Sequence, residues 1–121
     1  SCHRVPVIEG HLEAVFVELI EAPSSIDEVI RILKDFKGIP QELRLPTAPP
    51  QPIIFREEKD RPQPRLDRMA YRGMAVTVGR VRKDEVFDKG IKYVVLGSNT
   101  VRGAAGAALL TAELLYALEK I

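Results

Sequence analysis

Seven of the chain's nine prolines fall between residues 40 and 64: Pro40, Pro46, Pro49, Pro50, Pro52, Pro62 and Pro64. Each holds φ at about −65° and lacks the N–H that a helix or a strand ladder would use. Residues 40–73 are therefore expected to form a long ordered loop or arm rather than sheet. One short strand, Ile53-Ile54-Phe55, interrupts it. Regular structure has to come from the two flanks.

The N-terminal flank opens with two apolar runs, Val5–Ile8 and His11–Ile20, read as strands joined by a tight turn at Glu9-Gly10. A helix follows. Ser25 with Glu28 has capping-box spacing, and Ile26, Val29, Ile30, Leu33 and Phe36 make one apolar stripe. Gly38 stands where a left-handed C-cap belongs, and Pro40 prevents continuation. In the C-terminal flank, Met74–Val81 and Ile91–Leu96 read as a hairpin across the charged turn Lys83–Gly90. Gly97-Ser98-Asn99-Thr100 ends the second strand. From Val101 to Ile121 the chain is small and apolar, then leucine-rich, which favours helix. Ala104, Ala105, Ala107 and Ala108 permit close packing. There is no internal repeat. The order predicts an α+β fold, with helices on one face of a mostly antiparallel or mixed sheet.

A chain of 121 residues with 45% hydrophobic and 29% charged residues is long enough for one globular domain with a core. Its formal net charge of +1 gives no general pull toward nucleic acid or anionic lipid. The single cysteine excludes an internal disulfide framework. No apolar run reaches the roughly 18 residues of a membrane span, and no signal-peptide pattern opens the chain, so a cytoplasmic location is expected. A strand-like run begins almost at once with no initiating Met. The chain is accordingly expected to be a piece of a longer one.

Few residues invite chemistry. His11 enters a strand seven residues after Arg4. If the two runs are adjacent strands, both side chains reach one cleft, an arginine suited to a planar carboxylate or phosphate and a histidine suited to moving a proton near neutral pH. A capping or packing role for a lone histidine at a strand start is the alternative. Cys2 beside His3 makes a poor nucleophile and base, because neighbours on a strand point to opposite faces. No spacing indicates zinc, so no metal is expected. Gly103-Ala104-Ala105-Gly106 is not a dinucleotide fingerprint. Asn99, between a strand and a helix start, can cap the helix or bond an amide ligand. The arginines of Arg61-Pro62-Gln63-Pro64-Arg65-Leu66-Asp67-Arg68 could bind phosphate or nucleic acid, but no aromatic side chain sits among them for base stacking. A subunit-interface arm with Arg–Asp pairs is the stronger reading, and a non-catalytic dimerisation module built on it is a second functional class. The almost wholly apolar last helix implies burial against another element.

Taken together, four segments in order resemble a known family: Cys2-His3-Arg4-Val5-Pro6-Val7 running on to His11, Arg61-Pro62-Gln63-Pro64-Arg65, Gly79-Arg80-Val81-Arg82, and Asn99-Thr100-Val101-Arg102-Gly103-Ala104-Ala105-Gly106. Nearly the whole chain is similar to the C-terminal portion of aspartate-semialdehyde dehydrogenases of the archaeal/fungal-type branch. The resemblance implies part of a catalytic and dimerisation domain like that of glyceraldehyde-3-phosphate dehydrogenase. Residues 1–98 would belong to that domain, and residues 99–121 would be a helix packing on a Rossmann nucleotide domain. The implied activity is NADP-dependent reductive dephosphorylation of aspartyl 4-phosphate to aspartate semialdehyde through a cysteine thioester, a step of lysine, threonine and methionine biosynthesis, in a homo-oligomer. His11 matches the family's acid/base histidine, Arg4 the arginine that grips the substrate carboxylate, and Asn99 the asparagine that contacts the nicotinamide amide. The nucleophilic cysteine, the Rossmann fingerprint and the phosphate-binding lysine and arginine match nothing here, so this stretch alone should be inactive. The resemblance extends to malonyl-CoA and succinyl-CoA reductases, which share the thioester chemistry.

Overall fold

The computed structural model describes residues 1–2 and 5–121. Four strands form one mixed sheet: β1 (His11–Glu18), β2 (Ile53–Arg56), β3 (Val76–Lys83) and β4 (Gly90–Gly97), in the order β1-β4-β3-β2. β4 pairs antiparallel with both β1 and β3, while β2 joins β3 in parallel. The expected hairpin is thus β3–β4, and the strand inside the proline segment is a sheet edge. The N–H donors that proline lacks are least needed at an edge.

Residues opposite one another in register share a face. His11, Glu13, Val95, Val78 and Phe55 lie on one face; Leu12, Leu96, Thr77, Gly79 and Arg56 lie on the other. Helix α1 (Ile26–Asp35) covers part of the first face, with Lys34 Nζ 5.0 Å from the centre of the Phe55 ring. Its start has the Ser25 N-cap its sequence indicated, but the return bond of Glu28 goes to Ser24 rather than to Ser25. Ser25 Oγ accepts the Glu28 N–H at 3.1 Å, and Glu28 in turn accepts from the Ser24 N–H at 2.8 Å. Ile26, Val29, Ile30 and Leu33 are half-buried, while Phe36 stays exposed.

The proline arm crosses the second face. Gly79 allows this approach, since a Cβ there would stand 2.5 Å from the Arg61 carbonyl oxygen. One register shift, between Gly79 and Arg82, places a bulge in β3 with Arg80 at φ 59°. Within the arm lie two single-turn helices, α2 (Ile39–Glu42) and α3 (Pro64–Asp67), and a 3₁₀ turn at Ala70–Gly73. After β4 a π-helical turn, Val101–Ala105, leads into α4 (Gly106–Ala117). Leu110 of α4 is buried with Leu45 of the arm and Met74, beside Ala48, Val101 and Leu114. Glu113 fastens the same contact by accepting the Thr47 N–H at 2.9 Å and the Thr47 hydroxyl at 2.5 Å. Among the described residues no helix is long and apolar enough to cross a membrane.

Two local expectations are corrected. Val5–Ile8 is not a strand: it is irregular and exposed, and the edge of β1 is met instead by Ser1 and Cys2, which pair with Ala14 and Glu13. Pro6 has no N–H to give a ladder. Gly38 is not a left-handed C-cap either. With φ −113° it is the N-cap of α2, and Pro40 sits in that helix's first turn, where its missing N–H costs nothing.

Candidate functional site

His11 opens β1 opposite Gly97, where β4 ends. That register brings the start of one strand against the Ser98-Asn99-Thr100 turn. The exposed His11 side chain borders two adjoining cavities. One, of about 390 Å³, is also lined by Cys2, Glu9, Gly10, Glu13 and Asn99. The other, of about 270 Å³, is lined as well by Glu13, Ser98, Asn99, Arg102 and Gly103. The structure therefore places His11 and Asn99 on common walls although they are far apart in sequence. Arg4 and His3 lie outside the described residues. Cys2 is exposed, and it reaches the cavity by pairing opposite Glu13.

The amide of Asn99 does not cap a helix. Its Oδ1 accepts the Gly10 N–H at 2.9 Å, tying the turn before His11 to the turn after β4. The helix-entry bond comes from Ser98, whose hydroxyl accepts the Val101 N–H at 3.2 Å. With Oδ1 bonded to the Gly10 N–H, Nδ2 is the donor end of an amide that lines both cavities. Gly10 is buried at φ 109°, with Leu96, Pro64 and Arg68 so near that a Cβ would meet them at 3.2 to 3.5 Å. A left-handed backbone in a tight space is a glycine position for two separate reasons.

Beneath this turn lies the arm. Asp67, with a side chain 1% exposed, accepts Arg61 Nε at 2.7 Å and also Nη2, and takes the Gln63 N–H at 2.8 Å. Arg56 Nε stands 3.5 Å away. Burial pushes the Asp67 carboxyl up, but the Arg61 and Gln63 bonds outweigh it and the group sits below the ordinary carboxylate range. The Asp67 carboxylate raises the Arg61 guanidinium in return. The Arg–Asp pairing expected of the arm is thus satisfied inside this chain. Arg68, next along, points Nε at Glu9 Oε2, 3.8 Å away.

Sequence reasoning missed Glu13, Arg102 and the Glu9–Thr100–Arg68 cluster. Glu13 was legible, being two residues from His11 on a strand and so on its face. Thr100 and Arg68 were not, because only the tertiary fold brings them to Glu9. A larger groove of about 680 Å³ runs between α1 and the ends of β2 and β3, past Arg31, Lys34, Arg80 and Arg82. It contains no histidine, cysteine or amide side chain, and Lys34 is already paired with Glu57 at 3.1 Å. The smaller cavities at His11 are therefore the better-equipped candidate. Among the described residues no three His, Cys, Asp or Glu side chains converge as a metal site needs.

Residues 1–102 match the family described as semialdehyde dehydrogenase, dimerisation domain. The chain is 55% identical over 115 residues to the aspartate-semialdehyde dehydrogenase of Methanothermobacter thermautotrophicus, covering 95% of this chain and 33% of that protein. It is 46% identical over 117 residues to the malonyl CoA reductase (NADP) of Metallosphaera sedula, covering 95% of this chain and 32% of that one. Among solved structures, aspartate semialdehyde dehydrogenase with NADP from Candida albicans superimposes with a TM-score of 0.85 at 42% identity, over 98% of this chain and 33% of that chain. The chain spans about a third of the length of the relatives it matches.

Proposed function

Since the chain belongs to the semialdehyde dehydrogenase dimerisation-domain family, we propose that it is the catalytic and dimerisation portion of an NADP-dependent aspartate-semialdehyde dehydrogenase. The reading rests on one observation above the others: His11 and Asn99 wall the same cavity at the mouth of β1 and β4. In the complete protein a cysteine thiolate contributed from outside this stretch attacks the acyl carbonyl of aspartyl 4-phosphate. The carbon–oxygen bond to phosphate breaks, phosphate leaves, and a thioester remains. NADPH, when bound, supplies the hydride that reduces the thioester. His11 stabilises the thiolate, gives a proton to the oxyanion of the tetrahedral hemithioacetal, and takes it back as the carbon–sulfur bond breaks. Arg4 grips the substrate carboxylate and so aligns the carbonyl.

For the cofactor, the residues present fit one end only. With Oδ1 of Asn99 held by Gly10, Nδ2 is a donor matched to the carboxamide oxygen of a nicotinamide. The rest of the nucleotide would be held by a Rossmann domain, against which residues 99–121 would pack. The exposed apolar side chains Leu109, Leu115, Tyr116 and Leu118 suit that contact. The sheet and arm, residues 1–98, form the symmetric contact of a homo-oligomer.

The identity with a malonyl CoA reductase favours a second reading, an acyl-CoA thioester as substrate. Assaying the complete enzyme with both substrates decides between them. The aspartyl substrate should show the higher kcat/KM, and preference for malonyl-CoA would overturn the substrate assignment. His11→Ala should lower kcat by about 10²- to 10⁴-fold with little change in cofactor affinity; ordinary turnover would remove His11 from the mechanism.

A further inference from the structure

Among the described residues the His11 imidazole has no hydrogen-bond partner, and within them its position depends on its backbone. The backbone before it has little support: residues 5–8 are irregular, and Ile8 is fully exposed. Holding begins at Glu9. The Thr100 hydroxyl donates to Glu9 Oε1, and Arg68 Nε stands 3.8 Å from Glu9 Oε2. One residue on, the Gly10 N–H is taken by Asn99. The Glu9 and Arg68 side chains are only 23% and 29% exposed, and Arg68 Nε is buried with no hydrogen-bond partner among the described residues. Glu9 is the carboxylate within ion-pair reach of Arg68 among the described residues.

We propose that Glu9 is a positioning residue for His11: its carboxylate clamps the turn before the imidazole between Thr100 of the Asn99 turn and Arg68 of the proline arm. One carboxylate thereby ties together the three segments that surround the site. The arm end of the clamp is itself fixed, because Asp67, the neighbour of Arg68, is locked to Arg61 and Gln63. The other end is fixed by the bond between Asn99 and Gly10. A catalytic group whose position depends on its backbone gains from such support, since displacement by about 1 Å can cost 10²-fold in rate.

The proposal rests on His11 being the acid/base of the reaction, so the test starts with His11→Ala in the complete enzyme. If turnover survives, the functional reading fails and Glu9 has nothing to position. If turnover falls, Glu9→Gln is made next. It keeps the shape and a carbonyl acceptor for Thr100 but drops the charge that Arg68 faces, so the fold should persist. Glu9→Gln should lower kcat by about tenfold or more with KM values within threefold. It should slow alkylation of the nucleophilic thiol at neutral pH to a similar degree, because a displaced imidazole supports the thiolate less well. In the His11→Ala background the same substitution should cost nothing further. Glu9→Asp should recover part of the lost turnover. Unchanged kcat and thiol reactivity in Glu9→Gln, or losses that simply multiply with those of His11→Ala, would overturn the proposal.

Discussion

Replacing Asp67 by asparagine removes one charge from a buried ion pair and changes almost no volume. The asparagine oxygen can still accept the Gln63 N–H and Arg61 Nε, but its NH₂ end faces Arg61 Nη2 and cannot accept from it. Charge-assisted hydrogen bonds contribute about 1.5–3 kcal/mol each, and stranding the partner of a buried pair costs about 3–5 kcal/mol. Arg61 is 15% exposed and keeps Glu58 at 3.9 Å, so the lower end applies. We expect about 3 kcal/mol. Hydrogen exchange on the complete protein reads this locally. Amides of residues 61–68 should lose about a hundredfold in protection, since 1.4 kcal/mol is tenfold. The pH dependence carries a sign. The folded Asp67 carboxyl lies below its ordinary value, so its contribution is whole above about pH 3.9 and is lost as pH falls through the folded pKa. Wild-type protection of the arm should therefore drop on acidification below about pH 4, and the Asn variant should lack that step. Protection within threefold of wild type at neutral pH would refute the idea that Asp67 latches the arm.

Three further perturbations test the packing around the site. Leu96→Ala empties a position that is 1% exposed and should destabilise by about 3 kcal/mol, read as a lower denaturant midpoint; a cost under about 1 kcal/mol would contradict its central place. Gly79→Ala drives a methyl against the Arg61 carbonyl and should cost about 2 kcal/mol or more, with the arm amides losing protection as in the Asp67 variant. Glu113→Ala removes both acceptors of Thr47 and should cost about 1–3 kcal/mol, visible as faster exchange of the Thr47 amide.

Much of the framework was legible because its signals are local. The Ser25 cap and the apolar stripe of α1 act within a few residues of each other, and so does the turn chemistry between β3 and β4. The proline arm followed from missing N–H groups alone. His11 and Asn99 could be singled out because a histidine at a strand start and an asparagine before a helix are unusual placements with chemical uses.

The remainder depended on pairing partners that no short window contains. Val5–Ile8 has strand-forming side chains, yet propensity yields a strand only where an edge is open, and the β1 edge is met by Ser1 and Cys2. Ile53–Arg56 was recognisable as a strand, but its parallel docking on β3 was decided by where the arm returns. Gly38 and Pro40 read locally as a helix stop, and the chain used them to start a second helix. Above all, residue type alone marked Asn99 but carried no sign that Glu9, Thr100 and Arg68 meet. Sequence determined which side chains are able to hydrogen-bond or to move a proton. Tertiary structure decided which of them meet, because contacts between distant segments are selected by the register of the whole sheet and the course of the arm across it.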